Sequence, residues 1–298
     1  CESMAALFGL QYRLDDPDGM DPFGWFLLPW DVYGLGETLV QPDLRPTYAD
    51  TLSLSYEREV GRRASVELTY VDKKTRDIFE DTCAGNYPEP SANAPCFEYL
   101  LGNLPDLARD YEGYIARFET RSFSWLTLLA SYTYSKSRGN LEWSQGANAD
   151  FDIYPWHWEN RYGYLSDHRA HRVKLNGFFY IKGDWTIAFD GFWSSAFTWE
   201  PQATPFDNPE ISYDVYFLEP RGSREAFDAY SLNLQLSKGF NFGNSLRLVL
   251  IGTVYNTFST EYGTDVCSLS MGCGGFEMGD ATDWSLPRSY ELGFRLEF

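Results

Sequence analysis

Apolar and polar residues alternate with a period of two over most of this chain. The alternation is clearest in the final segment, where the even positions from 290 to 298 hold Tyr, Leu, Phe, Leu and Phe, and the odd positions include Glu291, Arg295 and Glu297. This period is typical of β-strands, because successive side chains point to opposite faces. It predicts about ten strands, at residues 4–14, 47–59, 64–78, 111–120, 124–138, 171–181, 185–198, 229–238, 244–258 and 288–298.

The lengths of the predicted strands and of their connections point to a membrane. Several strands exceed ten residues, and a transmembrane β-strand needs about 9–11. Short and long connections alternate strictly. The short ones are Val60–Arg63, Arg121–Phe123, Lys182–Asp184 and Gly239–Gly243, and the long ones are 15–46, 79–110, 139–170, 199–228 and 259–287. Outer-membrane barrels have short periplasmic turns and long extracellular loops. We therefore predict an all-β fold, an antiparallel transmembrane β-barrel integral to the bacterial outer membrane, with both cysteine pairs described below on the extracellular side.

Composition fits this prediction and excludes other classes. The 298 residues carry 43 Asp and Glu against 24 Lys and Arg, a net charge of −19, which argues against nucleic-acid binding. The 44% apolar content excludes a disordered acidic tail, and no uncharged apolar run is long enough for a transmembrane helix. Aromatic residues make up 18% of the chain. Many fall near predicted strand ends, where aromatic girdles meet lipid headgroups: Trp25, Trp30, Trp125, Trp185, Trp193, Trp199, Tyr132, Tyr134 and Tyr180.

The five cysteines suggest an oxidising compartment. Cys83 and Cys96 lie in one predicted loop, and Cys267 and Cys273 lie in another, which leaves Cys1 single. Two short-range disulfides are the favoured interpretation, with free thiols or a metal site as alternatives, although no His accompanies either pair.

One acidic loop contains carboxylates that could bind a cation. Asp16, Asp18 and Asp21 alternate with other residues around Gly19, as carboxylates do in calcium loops. The Glu expected later in an EF-hand is missing, so a solvated acidic loop is the favoured interpretation and Ca²⁺ the alternative. No other cofactor is expected.

Five segments resemble conserved stretches of TonB-dependent outer-membrane receptors, in the order in which that family has them. They are residues 42–58 (PDLRPTYADTLSLSYER), 126–140 (LTLLASYTYSKSRGN), 167–177 (DHRAHRVKLNG), 256–258 (NTF) and 290–298 (YELGFRLEF). Ser259 stands where the family has a second Asn after the Phe. Within the family the chain looks most like the Oar-like group.

The resemblance implies a larger protein than this chain. Such receptors have a 22-stranded barrel, an N-terminal plug domain and a TonB box. We therefore expect residues 1–298 to be one outer-membrane barrel segment, the C-terminal part of that barrel, without the plug and the first strands. The family also implies a bulky ligand, the TonB complex as a partner, and Phe298 as the signal for the barrel-assembly machinery.

A receptor that binds and imports a ligand is thus the leading functional hypothesis, with a polar lumen lined by the Ser, Thr, Asn and Glu faces of the strands. We expect no enzymatic activity. Outer-membrane lipid, lipopolysaccharide and an unknown ligand are the other expected partners. One alternative is a structural or adhesive surface protein whose disulfide-pinned loops contact partner proteins. A less favoured alternative is a stand-alone ten-stranded barrel enzyme, for which Asp167 and His168 would be the residues of interest.

Overall fold

The computed structural model describes residues 39–61, 63–83, 99–104, 106–141, 159–203, 216–243 and 246–298. The strands in chain order are β1 (Leu39–Val40), β2 (Tyr48–Glu59), β3 (Ala64–Arg76), β4 (Phe79–Cys83), β5 (Tyr99–Asn103), β6 (Arg109–Phe123), β7 (Leu126–Gly139), β8 (Gly163–Tyr164), β9 (His171–Ile181), β10 (Trp185–Ser194), β11 (Thr198–Trp199), β12 (Gln202–Ala203), β13 (Tyr216–Phe217), β14 (Arg224–Glu225), β15 (Ala229–Phe242), β16 (Leu246–Tyr255), β17 (Gly263–Val266), β18 (Ala281–Trp284) and β19 (Ser289–Glu297). Among these residues no helix is long and apolar enough to cross a membrane.

Nine of the ten predicted strands are present as the long strands β2, β3, β6, β7, β9, β10, β15, β16 and β19. The tenth, at residues 4–14, lies outside the described residues. The nine form one sheet in the order β19-β16-β15-β10-β9-β7-β6-β3-β2, with β8 paired to β7. The registered pairs in this sheet are antiparallel. The predicted all-β antiparallel fold is confirmed.

The chain divides into two compact units. The first comprises Cys1–Tyr48, Asp77–Leu107 and Trp143–Glu159, and the second comprises Ala49–Arg76, Ala108–Glu142 and Asn160–Phe298. In the first unit, β1, β5 and β4 form a small sheet. The amide of Asn103 holds this unit together, because it accepts the Arg45 N–H at 2.7 Å and donates to the carbonyls of Arg45 and Asp77 at 2.9 and 2.8 Å.

The second unit contains the main sheet, and its two faces differ in polarity. Leu236 stands opposite Ile187 and Gly252, whereas Gln235 stands opposite Ala188 and Thr253. This register repeats across the strands, so the apolar positions fall on one face and most polar positions on the other. The apolar face is exposed; its members include Leu52, Leu54, Tyr56, Leu68, Val173, Leu175, Leu236, Leu250, Leu292 and Phe294. An exposed apolar face of this size requires a lipid environment.

Aromatic rings mark both ends of the apolar face. Tyr70, Tyr114, Tyr134 and His171 form a row across four strands, with successive ring centroids 5.0, 6.3 and 5.3 Å apart. At the opposite end, Trp125 lies 5.3 Å from Phe123 and 6.0 Å from Phe179.

The distance between the two aromatic levels can be estimated from β10. Trp185 and Trp193 lie at its two ends and on the same face. Eight residues of strand span about 27 Å, close to the apolar band of about 25 Å in outer-membrane barrels. Trp199, which was also predicted at a strand end on the girdle, lies instead in the loop strand β11, because β10 ends at Ser194.

The short connections are tighter than predicted in two places. β6 continues to Phe123, so the turn occupies residues 124–125, and β15 continues to Phe242. A register irregularity between Thr120 and Phe123 lets β6 extend past the predicted turn. The turn at 182–184 lies as predicted, with Gly183 and Asp184 at φ 86° and 63°, the left-handed backbone that tight hairpins require.

Neighbouring positions on β15 test which face meets lipid. Leu236→Arg should destabilise the folded protein by about 2–4 kcal/mol, because it puts a charge on the lipid face. Gln235→Arg, one residue away on the polar face, should cost less than about 1 kcal/mol, since its guanidinium stays hydrated. Urea unfolding of the two variants in lipid vesicles measures both values. Equal destabilisation by the two substitutions would contradict the assignment of faces.

Candidate ligand-binding surfaces

The polar face of the main sheet is the first candidate surface. Asp190 on β10 stands between Asn176 on β9 and Asn233 on β15, and the Asn233 amide donates to its carboxylate at 3.4 Å. On β6, Arg117 lies 3.4 Å from Glu119 and 3.9 Å from Glu67. The face therefore carries amides and charges of both signs, a wall suited to water and to polar solutes.

The turn end of this face is fixed by one arginine. Arg247 on β16 contacts Asp184 in the β9–β10 turn at 2.9 Å and Glu297 on the last strand at 2.8 Å. All three side chains are partly exposed, so the contribution to stability is modest. The contacts link β19 to the body of the sheet at the end opposite the long loops.

The long loops of the second unit have a core of their own. Leu141, Leu165, Phe197 and Phe217 are buried in segments that connect the strands. Gly222, at φ +64°, passes so close to Tyr164 that an added Cβ would lie 2.4 Å from the Tyr164 carbonyl oxygen. Its N–H donates to the Glu200 carboxylate at 3.0 Å. These loops form a packed structure that can present side chains in fixed positions.

A stack of three side chains lies where the end of β7 meets this loop structure. The Tyr164 ring lies 4.1 Å from the imidazole of His168, and the guanidinium of Arg138 lies 4.4 Å from the centre of the Tyr164 ring. The Nδ1 atom of His168 accepts the Ser137 N–H at 3.3 Å, which requires an unprotonated Nδ1. Burial lowers the pKa of His168 to about 4; Asp167 opposes this shift, and Arg138 and Arg172 add to it.

The proposed catalytic pair is not assembled in the described residues. The Asp167 carboxylate contacts Arg109 at 2.6 Å, while His168 contacts Tyr164 and Ser137. An Asp that orients a catalytic His must accept its ring N–H. Both residues instead stabilise the loop.

The hairpin β17–β18 carries the second candidate surface, a cleft of about 380 Å³. Its lining residues are Phe227, Phe276, Gly279, Asp280, Ala281 and Trp284. The cleft is open to solvent, since Phe276 and Trp284 are 44% and 56% exposed. It is an aromatic surface with a carboxylate at its edge.

A disulfide between Cys267 and Cys273 closes the loop that carries the cleft. The Gln202 N–H donates to the Ser268 carbonyl, and the Ser270 N–H donates to the Gln202 carbonyl, both at 2.8 Å. These bonds attach the loop to β12.

Most of the other candidate site residues from the sequence lie outside the described part of the chain. Asp16, Asp18, Asp21 and Cys96 lie outside the described residues, and Cys83 is the last residue of β4. The calcium site and the Cys83–Cys96 disulfide therefore stay predictions. Within the described residues no group of three or more His, Cys, Asp or Glu could hold a metal ion.

The cleft was not predicted, although the sequence carries a signal for it. Between Phe258 and Arg288 there are five acidic residues and no Lys, Arg or His, and aromatic residues lie near the Cys267–Cys273 pair. The alternating pattern that identifies the strands does not apply to loops, so this signal alone does not define a site.

Comparison with known proteins identifies the family. The family model described as an outer membrane beta barrel domain matches residues 31–182. The chain belongs to this family, and it is a protein of the bacterial outer membrane. The comparison with curated proteins gave no match.

Several solved structures share the fold. The outer membrane transporter YddB from Escherichia coli is 13% identical with a TM-score of 0.58, and the match covers 86% of this chain and 33% of YddB. The ferripyoverdine receptor of Pseudomonas aeruginosa, bound to ferripyoverdine, is 13% identical with a TM-score of 0.52, over 85% and 27% of the two chains. The FrpB iron transporter from Neisseria meningitidis is 12% identical with a TM-score of 0.50, over 87% and 32%. The chain therefore spans about a third of the length of these proteins.

The stack around His168 gives a prediction of pH dependence. His168 lies in a loop, and its pKa is about 4 in the folded protein against about 6.5 in an unfolded chain. Between these pH values the unfolded state binds more protons, so stability should fall as the pH drops from 6.5 towards 4, by on the order of 2 kcal/mol. NMR titration of ¹³C-labelled histidine, with the signal assigned by His168→Gln, measures the midpoint. A midpoint near 6.5 would show that the imidazole is not held in its neutral form.

Proposed function

We propose that this chain is part of the barrel of a TonB-dependent outer-membrane receptor that binds a bulky ligand and passes it through the barrel. The observation that most supports this proposal is the main sheet, whose exposed apolar face meets lipid and whose other face is polar. The match of its fold to an outer membrane transporter supports the proposal. By the sequence resemblance, the chain would be Oar-like and TonB would be the energy-coupling partner.

The exposed edges of the sheet support a larger barrel. β2 and β19 are the end strands of the sheet, and β2 is exposed at every position, as β19 is at all but its last. Unpaired strand edges are not tolerated in hydrocarbon, so we infer that further strands cover them. We propose that this chain is the C-terminal part of a 22-stranded barrel, which fits its coverage of about a third of the YddB transporter.

The loops have the properties that ligand capture requires. They contain buried apolar residues, a buried polar network around Glu200, and a disulfide. Preorganised side chains lose less entropy when a ligand binds. A surface protein with a structural or adhesive role would also use ordered loops, so the test must separate the two functions.

Energy coupling distinguishes the receptor from a structural protein. The full-length protein in detergent should bind the purified periplasmic domain of TonB from the same bacterium, in a saturable manner measured by surface plasmon resonance. A heat-modifiable barrel of another outer-membrane protein that does not use TonB serves as the control. A correctly folded protein that binds the TonB domain no better than this control would contradict the receptor proposal and support the structural role.

The C-terminal residue tests the proposed partnership with the barrel-assembly machinery. The Phe298 side chain is 97% exposed, so its deletion removes almost no packing within the chain. Deletion should nevertheless strongly reduce the amount of heat-modifiable protein in the outer membrane, whereas Phe242→Ala, at an aromatic side chain 55% exposed, should not. Quantitative immunoblots of membrane fractions measure both. Normal assembly after the deletion would refute a role of Phe298 as the assembly signal.

A further inference from the structure

We propose that the cleft beside the β17–β18 hairpin binds an organic cation, an ammonium or guanidinium group carried on an apolar body. The inference rests on the proposed receptor function, because it names the chemical class of ligand that this loop surface takes.

The walls of the cleft provide aromatic faces. Phe227, Phe276 and Trp284 line a space of about 380 Å³, and the last two are 44% and 56% exposed. Aromatic faces attract cations through the ring quadrupole, with Trp the most effective. Such a surface also gains free energy when it buries an apolar group. The volume lies in the range of small-molecule sites.

The β17–β18 segment beside the cleft carries charge of one sign. Asp280 lines the cleft, and the residues between Phe258 and Arg288 include five acidic residues, all exposed, and no basic residue. Asp280 accepts the Glu277 N–H at 2.9 Å through Oδ2. This bond fixes the position of the carboxylate at the edge of the cleft. An anion would be repelled here, and a cation would be attracted.

A basic side chain on the Trp199 side of the cleft is already paired. An added Cβ at Gly279, which lines the cleft, would lie 3.7 Å from the Trp199 ring, and Arg224 lies 5.4 Å from the centre of that ring. Arg224 donates two hydrogen bonds to Glu219, at 2.6 and 3.2 Å. These bonds lower the pKa of Glu219, so the pair stays charged but carries no net charge. It does not offset the acidic residues of the hairpin.

The disulfide lies close to residues that line the cleft. Cys273 and Phe276 exchange two backbone hydrogen bonds of 3.0 and 2.9 Å. The Cys267 N–H donates to the Asp280 carbonyl at 2.9 Å, and the Gly279 N–H donates to the Cys267 carbonyl at 2.8 Å. Both cysteines therefore hold the backbone of residues that line the cleft. The aromatic faces and the carboxylate are positioned before a ligand arrives, which reduces the entropy lost on binding.

The test uses the full-length protein labelled with 5-fluorotryptophan in detergent micelles. The ¹⁹F signal of Trp284, assigned by Trp284→Phe, is followed during titration with benzyltrimethylammonium, with the neutral benzyl alcohol and with the anionic benzoate. We expect a saturable shift with the cation, and binding at least about fivefold weaker for the other two, as loss of the cation–π contact implies. Equal affinity for the cation and benzyl alcohol, or a cation titration without saturation, would overturn the proposal.

Two variants and one chemical treatment locate the effect. Asp280→Asn keeps the shape and removes the charge, and it should weaken binding of the cation at least about threefold, as expected for loss of a partly exposed ionic contact. Glu225→Gln removes an exposed carboxylate elsewhere on the loops and should leave the affinity unchanged. Reduction of the disulfide should weaken binding while the barrel stays heat-modifiable. Equal effects of the two variants, or unchanged binding after reduction, would contradict the assigned site.

The same preparation is tested for binding to the TonB periplasmic domain. Binding to TonB without cation binding overturns only the assignment of the cleft. Cation binding without TonB binding overturns only the receptor function.

Discussion

The structure depends on the requirement that backbone polar groups in hydrocarbon find hydrogen-bond partners within the protein. Between neighbouring strands the main sheet satisfies it through antiparallel pairing of consecutive long strands, with registers that run unbroken along most pairs. Once the backbone is paired in this way, side chains must alternate between lipid and the opposite face. The period of two, the exposed apolar face and the polar face all follow from this single constraint.

This constraint does not apply where the chain leaves the membrane, and there the chain is held by a buried apolar core instead. The strands have little buried apolar core, whereas Leu141, Leu165, Phe197 and Phe217 pack in the loops of the second unit. In water, loops need such packing to hold a defined shape. The disulfide at Cys267 and the neutral imidazole of His168 also stabilise these loops. Lipid stabilises the sheet, and ordinary packing stabilises the loops that present the candidate sites.

This difference explains what could be predicted from the sequence. The alternation of apolar and polar residues locates nine strands to within a few residues. A polar side chain on the lipid face has a large cost in free energy, so the pattern is strict there. The predicted position of the turn after β6 was wrong, because Phe123 is compatible with either a strand or a turn. A register irregularity between Thr120 and Phe123 extends the strand to include Phe123. The cleft of Phe227, Phe276 and Trp284 could not be predicted, because these residues come from two different loops and no periodic pattern relates them. The acidic hairpin and the paired cysteines were visible, but their geometry depends on contacts with β12 that no local pattern encodes.

The central claim is that one face of the main sheet lies in lipid and the other does not. Spin labels placed singly at residues 230 to 237 on β15, in the full-length protein reconstituted in bilayers, measure it directly by collision with oxygen and with a water-soluble nickel complex. We expect high oxygen accessibility at the even positions and high nickel accessibility at the odd positions, with a period of two. Accessibility without this alternation, or nickel contact on both faces, would contradict it.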